Sequence, residues 1–144
     1  MKILVFDTET TGLIPKNPKS LTDWPHIVQL SCLFINLDKL DEMYVDNYII
    51  KTTVDIPEET SNIHGITNEI SKEKGINIRD ALLRFAYFLE EADVIVAHNL
   101  SFDKRIIEKE FERMDYPNCF NIKKHNIYDT MKEGKEMCNI VEQQ

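Results

Sequence analysis

The run Ile3-Leu4-Val5-Phe6, leading straight into Asp7-Thr8-Glu9-Thr10-Thr11-Gly12, constrains the fold more than any other segment. Four apolar residues, half of them β-branched, form a strand and are too few for a helix. Strand side chains alternate between faces, so Asp7 and Glu9 share one face directly beyond a buried apolar stretch. Two carboxylates side by side repel each other, and a cation between them relieves that repulsion. Their hard oxygens suit Mg²⁺ or Mn²⁺. A strand that merely ends in a polar turn leaves the same pattern, so the two acids alone leave both readings open.

A chain of 144 residues holds one domain, residues 1–144. With 42% hydrophobic and 29% charged residues it is an ordinary globular composition, which excludes a disordered or fibrous class. No stretch reaches the apolar length of a membrane span, and Asp7 interrupts the first apolar run too early for a signal peptide. Cys32, Cys119 and Cys138 are odd in number and form no C-x-x-C pair, which points to a reducing intracellular, cytoplasmic setting and away from structural zinc. In that setting the sequon Asn99-Leu100-Ser101 is a coincidence. A net charge of −8 excludes a protein that grips nucleic acid by basic surface alone. Acids gathered for a metal would account for part of that total.

The remaining elements follow from periodicity. Residues 2–7 form strand one, and a polar, proline-bearing loop follows from Ile14 to Pro25. His26–Leu37 and Met43–Lys51 read as two further strands, antiparallel neighbours across the short polar turn between them. Short helical turns are expected around His64-Gly65-Ile66. Ile78, Ala81, Leu82, Phe85, Ala86 and Leu89 recur at helical spacing, with Asn77 and Asp80 at the start to cap the helix. Asp93–Ala97 is a short buried strand, Ser101–Met114 a second amphipathic helix, Asn126–Asp129 a fifth strand and Thr130–Val141 a last helix. The order β-β-β-α-β-α-β-α gives an α/β fold with a mixed five-stranded sheet flanked by helices.

A second motif lies where the fourth strand meets its helix, in Ala97-His98-Asn99-Leu100-Ser101-Phe102-Asp103. Ligands collect at the carboxyl ends of parallel strands. Asp103 in the first helical turn can therefore supply a third carboxylate, or simply favour the helix N-terminus electrostatically.

Taken together, Phe6-Asp7-Thr8-Glu9-Thr10-Thr11-Gly12, Ile56-Pro57-Glu58-Glu59-Thr60-Ser61-Asn62-Ile63-His64-Gly65-Ile66-Thr67 and His98-Asn99 with Phe102-Asp103 resemble the DEDD family of 3′–5′ exonucleases, its DnaQ-like branch. The match extends from Met1 to about Asp129. The resemblance implies a ribonuclease H-like fold and a two-metal-ion hydrolysis that releases nucleoside monophosphates from the 3′ end of DNA or RNA, single-stranded by preference. It implies that Asp7, Glu9 and Asp103 hold the two Mg²⁺ or Mn²⁺ ions, with Glu9 also orienting the attacking water. It implies that Thr10, Thr11, Gly12, His64 and Asn99 contact the terminal nucleotide. It leaves a polymerase or other replication partner unnamed.

The family's third motif, a His followed five residues later by an Asp on a late helix, is absent. No histidine follows His125. His125 and Asp129 do not substitute for it: four residues apart on one strand they stand about 13 Å from each other. The expectation is therefore a domain truncated at its C-terminus. Arg105, Lys109 and Arg113 form a stripe interleaved with Glu108, Glu110 and Glu112, read as a solvated, ion-paired face rather than a phosphate track. Trp24 is read either as a stacking platform or as the anchor of its own loop, and Lys123 and Lys124 as turn residues. Besides the exonuclease, two functions stay open: a non-catalytic nucleic-acid- or partner-binding remnant, and a metalloenzyme acting on free nucleotides.

Overall fold

The structure, a computed structural model, describes residues 1–138. The expected helix over Thr130–Val141 is present as far as it is described, and residues 139–141 lie outside the described residues. The first strand, β1 (Lys2–Thr10), runs on past Asp7 because its backbone stays paired: Thr8 faces Leu30 and Glu9 faces Gln29 across the ladder. The two acids therefore sit within a strand, not in the turn after it. β2 (Ile27–Asn36) and β3 (Lys39–Ile49) form an antiparallel hairpin. β3 begins earlier than the Met43 expected, because the turn shrinks to Leu37-Asp38. Asn36 makes this possible, its Oδ1 accepting the Asp38 N–H at 3.0 Å. The polar opening of β3, with Lys39, Asp41 and Glu42, hid the strand in the sequence and suits an outer strand, whose edge charges block further pairing.

Two short helices, α1 (Glu58–His64) and α2 (Asn68–Lys74), precede the long α3 (Ile78–Glu91). Asn77 caps α3 as expected, its Oδ1 accepting the Arg79 N–H at 2.9 Å. Then come β4 (Val94–Ala97), α4 (Leu100–Arg113), β5 (Asn126–Asp129) and α5 (Thr130–Cys138). The sheet order is β3-β2-β1-β4-β5, with β1 antiparallel to β2 and parallel to β4, which in turn runs parallel to β5. β1, β4 and β5 thus end at one edge, where α4 also begins, and the expected mixed sheet is present.

One face of the sheet packs against α3 and α4. Leu4 and Phe6 of β1, Leu30 and Phe34 of β2, Phe85 and Phe88 of α3, and Ile106, Ile107 and Phe111 of α4 are buried in a single cluster. Phe6 meets Phe85 edge-on at 5.2 Å, and Phe34 stacks on Phe88 at 4.8 Å. Each such side chain contributes roughly 1.5–3 kcal/mol on burial, so the strand ends and the start of α4 are held by a dense core. The three cysteines are free, and burial pushes the Cys32 thiol up to about 12. Among the described residues no helix is long and apolar enough to cross a membrane.

Candidate active site

A slot of about 210 Å³ opens at the end of β1, lined by Thr8, Glu9, Thr10, Gly12, Leu13, Thr60, Ile63, His64 and Phe102. Three segments distant in sequence build it: β1 with its following turn, α1, and the first turn of α4. Leu13 and Ile63 line it although they are 85% and 82% exposed, an unusual placement for large apolar side chains. The sequence reading did not single out Thr8, Leu13, Thr60 or Phe102, whereas Ile63 is an apolar neighbour of His64 of the kind that the resemblance sets against the terminal nucleotide. Thr8, Leu13 and Phe102 directly adjoin a motif residue, Asp7, Gly12 or Asp103, and that adjacency was the available signal.

Of the expected residues, Glu9, Thr10, Gly12 and His64 line the slot. The Thr10 hydroxyl donates to the Gly12 carbonyl at 2.6 Å, shaping the turn. The Thr11 hydroxyl accepts the His26 N–H at 3.0 Å and is turned toward that loop. A side chain at Gly12 would meet open space, so no protein packing demands a glycine there. His64 ends α1, where Gly65 adopts φ +78° and turns the chain. Its Nδ1 accepts the Ile66 N–H at 3.1 Å. The neutral ring therefore carries its hydrogen on Nε2, which is buried and has no partner among the described residues.

Asp103 is 2% exposed, and its Oδ1 accepts the Thr8 hydroxyl at 2.5 Å. Burial pushes its carboxyl up to about 7; the Thr8 hydroxyl opposes that shift, and the charges of Asp7 and Glu9 reinforce it. Glu9 is also raised, first by burial and then by Asp7, with His64 pulling the other way. The three acids thus sense one another, but they do not form a ready ligand set. Thr8 points to the helix-covered face, taking Asp103 with it, while Asp7 and Glu9 point to the other. Among the described residues no three His, Cys, Asp or Glu side chains converge closely enough to hold an ion. Asp103 is thus buried against Thr8 rather than open at the sheet edge as the motif suggested. Carboxylates without a counter-charge separate where they can, and burial favours the protonated form. The donor chemistry still fits a divalent ion: hard oxygens, two of whose carboxyls are raised partly by their neighbours' charge.

Asn99 holds the left-handed conformation, φ 62° and ψ 61°, and its side chain makes no cap bond to α4. The cap comes from β5. Asp129 Oδ1 accepts the N–H groups of Asn99 and Met131, both at 3.0 Å, and Oδ2 accepts that of Leu100 at 3.1 Å. Burial works against this charge, but the N–H groups of Leu100, Asn99, Met131 and Lys132 outweigh it and hold Asp129 below the usual carboxylate range. His125 is a strand tie, not part of a catalytic pair, its Nε2 lying 2.7 Å from the Leu89 carbonyl.

The basic stripe divides. Lys109 pairs with Glu112 as expected, at 3.0 Å. Arg113 instead reaches across to the carbonyls of Leu21, Trp24 and Pro25 while pairing with Glu110. Trp24 lies under Arg105 and Lys109, 5.2 and 4.9 Å from its ring centre, and so anchors its own loop to α4. A larger cleft of about 560 Å³ beside Trp24 mixes these cations with Glu108, Glu112 and Asp115 and contains none of the motif acids.

The chain matches the family described as exonuclease, RNase T, over residues 4–139. It is 29% identical over 141 residues to the DNA polymerase III subunit epsilon of Buchnera aphidicola, covering 94% of this chain and 56% of that protein. It is 36% identical over 106 residues to the PolC-type DNA polymerase III of Thermotoga petrophila, covering 72% of this chain and 7% of that protein. The chain thus spans about half the length of the first relative and a small part of the second. Among solved structures, E. coli Exonuclease I in complex with a dT13 oligonucleotide matches with a TM-score of 0.75 at 16% identity, over 95% of this chain and 29% of that one. At that identity the likeness is one of fold.

Proposed function

From its membership of the DnaQ-like exonuclease family, to which this chain belongs with a ribonuclease H-like fold, we propose that it hydrolyses the terminal phosphodiester at the 3′ end of single-stranded DNA or RNA. The observation that carries this reading is the slot itself. It places an acid, Glu9, beside an unpartnered donor, His64 Nε2–H, between apolar walls contributed by Leu13, Ile63 and Phe102. A flat base fits between such walls without regard to its identity. His64 would donate to an acceptor on the terminal nucleotide, and Asn99, Thr10 and Gly12 would hold its sugar and phosphate, while Thr11, whose N–H and hydroxyl both bond to His26, would fix the turn instead.

Asp7, Glu9 and Asp103 would hold two Mg²⁺ or Mn²⁺ ions. Such ions, when bound, supply a Lewis-acid clamp on the scissile phosphate and a more acidic water. Glu9 would orient that water in line with the bond to the leaving 3′ oxygen. Asp103 would give up the Thr8 hydroxyl to become a ligand. The terminal nucleoside monophosphate departs, and the shortened strand keeps a free 3′ hydroxyl. By the same likeness the proposed partner is a replicative polymerase.

A second reading, a module that binds metal and a 3′ end without turnover, is favoured by one observation. His64 cannot replace the missing general base: Nδ1 is occupied by the Ile66 N–H and Nε2 already carries its hydrogen. The test is hydrolysis of a 5′-labelled single-stranded oligonucleotide with Mn²⁺ by this chain and by Asp7→Ala. Stepwise shortening by the parent, at least about 100-fold slower in the variant, establishes the exonuclease. No shortening by either, with Mn²⁺ binding lost only in the variant, establishes the binding module.

A further inference from the structure

We infer that Asp129, at the end of β5, is a positioning residue: it holds the left-handed turn at Asn99 and thereby sets where Asp103 stands and leaves the Asn99 amide free. This inference rests on the reading of Asp7, Glu9 and Asp103 as metal ligands. A helix normally satisfies its first free N–H groups with a side chain at its own N-cap. α4 does not. Its N-cap residue, Asn99, is exposed and makes no side-chain cap bond, although asparagine ranks among the best capping residues. The N–H groups of Asn99 and Leu100 go instead to a carboxylate twenty-nine residues downstream at its nearest. That carboxylate is 8% exposed and is fixed from its own side by the Met131 N–H.

The neighbouring strands make the hold rigid. Ala97 and Asp129 are paired across the β4–β5 ladder. Thr130 donates to the Ala97 carbonyl at 3.4 Å and lies 3.0 Å from His98 Nδ1. Both residues of the turn before α4 are therefore tied down, Asn99 to the end of β5 and His98 to the start of α5. Four residues beyond Asn99, Asp103 projects from the first helical turn toward Thr8. Ile106 and Phe111, further along α4, are held in the core, so a displacement of the backbone at Asn99 and Leu100 falls on the first turn, which carries Asp103. Capping from β5 also has a consequence for Asn99: its side-chain amide, released from the usual capping role, is exposed at the start of α4.

The functional consequence is specific. Losing the Asp129 carboxylate should degrade ion binding more than it degrades folding. The experiment compares the parent, Asp129→Asn and Asp7→Ala. Mn²⁺ binding is followed by calorimetry, backbone amide exchange over residues 98–103 by mass spectrometry or NMR, and thermal unfolding in parallel. In Asp129→Asn the carbonyl oxygen can accept one or two of the N–H groups, but the amide nitrogen meets the other as donor against donor. Faster exchange at Asn99 and Leu100, with a Mn²⁺ Kd at least tenfold weaker and unfolding still cooperative, is the expected result. Where turnover is measurable, excess Mn²⁺ should restore kcat in this variant and fail to do so in Asp7→Ala. Unchanged exchange at Asn99 and Leu100 overturns the inference, as does faster exchange with Mn²⁺ affinity within twofold of the parent. Should Asp129→Asn fail to fold, Asp129→Glu, which keeps the charge but displaces it by one methylene, must show the same pair of changes. If the parent binds no Mn²⁺ that Asp7→Ala removes, the metal reading itself fails, and the positioning role falls with it for that separate reason.

Discussion

The two faces of β1 are made of consecutive residues and have opposite physics. Leu4, Phe6, Thr8 and Thr10 are buried beneath the helices. Ile3, Val5, Asp7 and Glu9 point the other way and stay half-buried or exposed, and two strands over on β3, in line with Val5 through Leu33, Val45 is 72% exposed. One face is a packed interior that fixes the strand; the other is an open surface on which acids can be used. The division is not clean at the strand end, where Thr8 belongs to the buried face by alternation yet its hydroxyl holds Asp103. The candidate site is therefore assembled from both faces, and its acids differ in character accordingly: Asp7 is open to solvent, and Asp103 is nearly dry.

The largest effect expected from breaking this comparison is on the core face. Phe6→Ala removes a ring packed edge-on against Phe85 and should cost about 3–5 kcal/mol, read as a lower urea midpoint. One residue further on, Asp7→Asn should leave that midpoint within about 0.5 kcal/mol of the parent and abolish Mn²⁺ binding. If both substitutions destabilise alike, the two faces are not functionally distinct.

The next effect has the opposite sign. Asp103 has a folded-state pKa of about 7 against an ordinary 3.8. Between those values the folded protein keeps a proton that the unfolded chain has lost, so stability declines as pH rises through that window. Asp103→Asn keeps a partner for Thr8 and carries no charge. At pH 8 it should be more stable than the parent by roughly 2 kcal/mol, with the difference vanishing near pH 4, while ion binding is lost. Urea midpoints at pH 4 and pH 8 decide this. A parent whose stability is flat across the range would show that Asp103 ionises freely and is not buried as described.

Much of this was legible in the sequence, for a physical reason. Period-two and helical patterns report burial, and burial determines the sheet, its helices and the shared face of Asp7 and Glu9. What the sequence hid is what depends on partners far along the chain. β3 starts at Lys39 because Asn36 folds a two-residue turn, and no periodicity marks that. Arg113 reads as a surface charge by its helical neighbours, yet it ties down the carbonyls of the Trp24 loop. Asp129 reads as the end of a strand, yet it caps a helix that starts twenty-nine residues earlier. The walls of the slot, Leu13 and Ile63, are fifty residues apart in the chain, and only the fold brings them to one place. The Arg113 case gives a further expected outcome. Arg113→Ala should cost about 1–2 kcal/mol through three carbonyls left without their donor, with faster amide exchange confined to residues 21–25.

The smallest structural effect is the most pointed test of what the open side of the strand end is for. A side chain at Gly12 would meet no atom of the described residues within 4 Å, and the residue is not in the left-handed region. By the fold alone Gly12→Ala is therefore neutral or slightly stabilising, since alanine restricts the unfolded chain more than glycine does. A requirement for glycine must come from something outside the protein that approaches this backbone closely. If a terminal nucleotide enters the slot between Leu13 and Phe102, a methyl group at position 12 should raise KM for an oligonucleotide several-fold. Where the chain binds without turnover, Kd should rise by the same factor. In either case thermal stability and Mn²⁺ affinity should match the parent. Unchanged oligonucleotide affinity would mean that the strand end does not pass Gly12 and that the slot, if it holds a base at all, is entered from the His64 side.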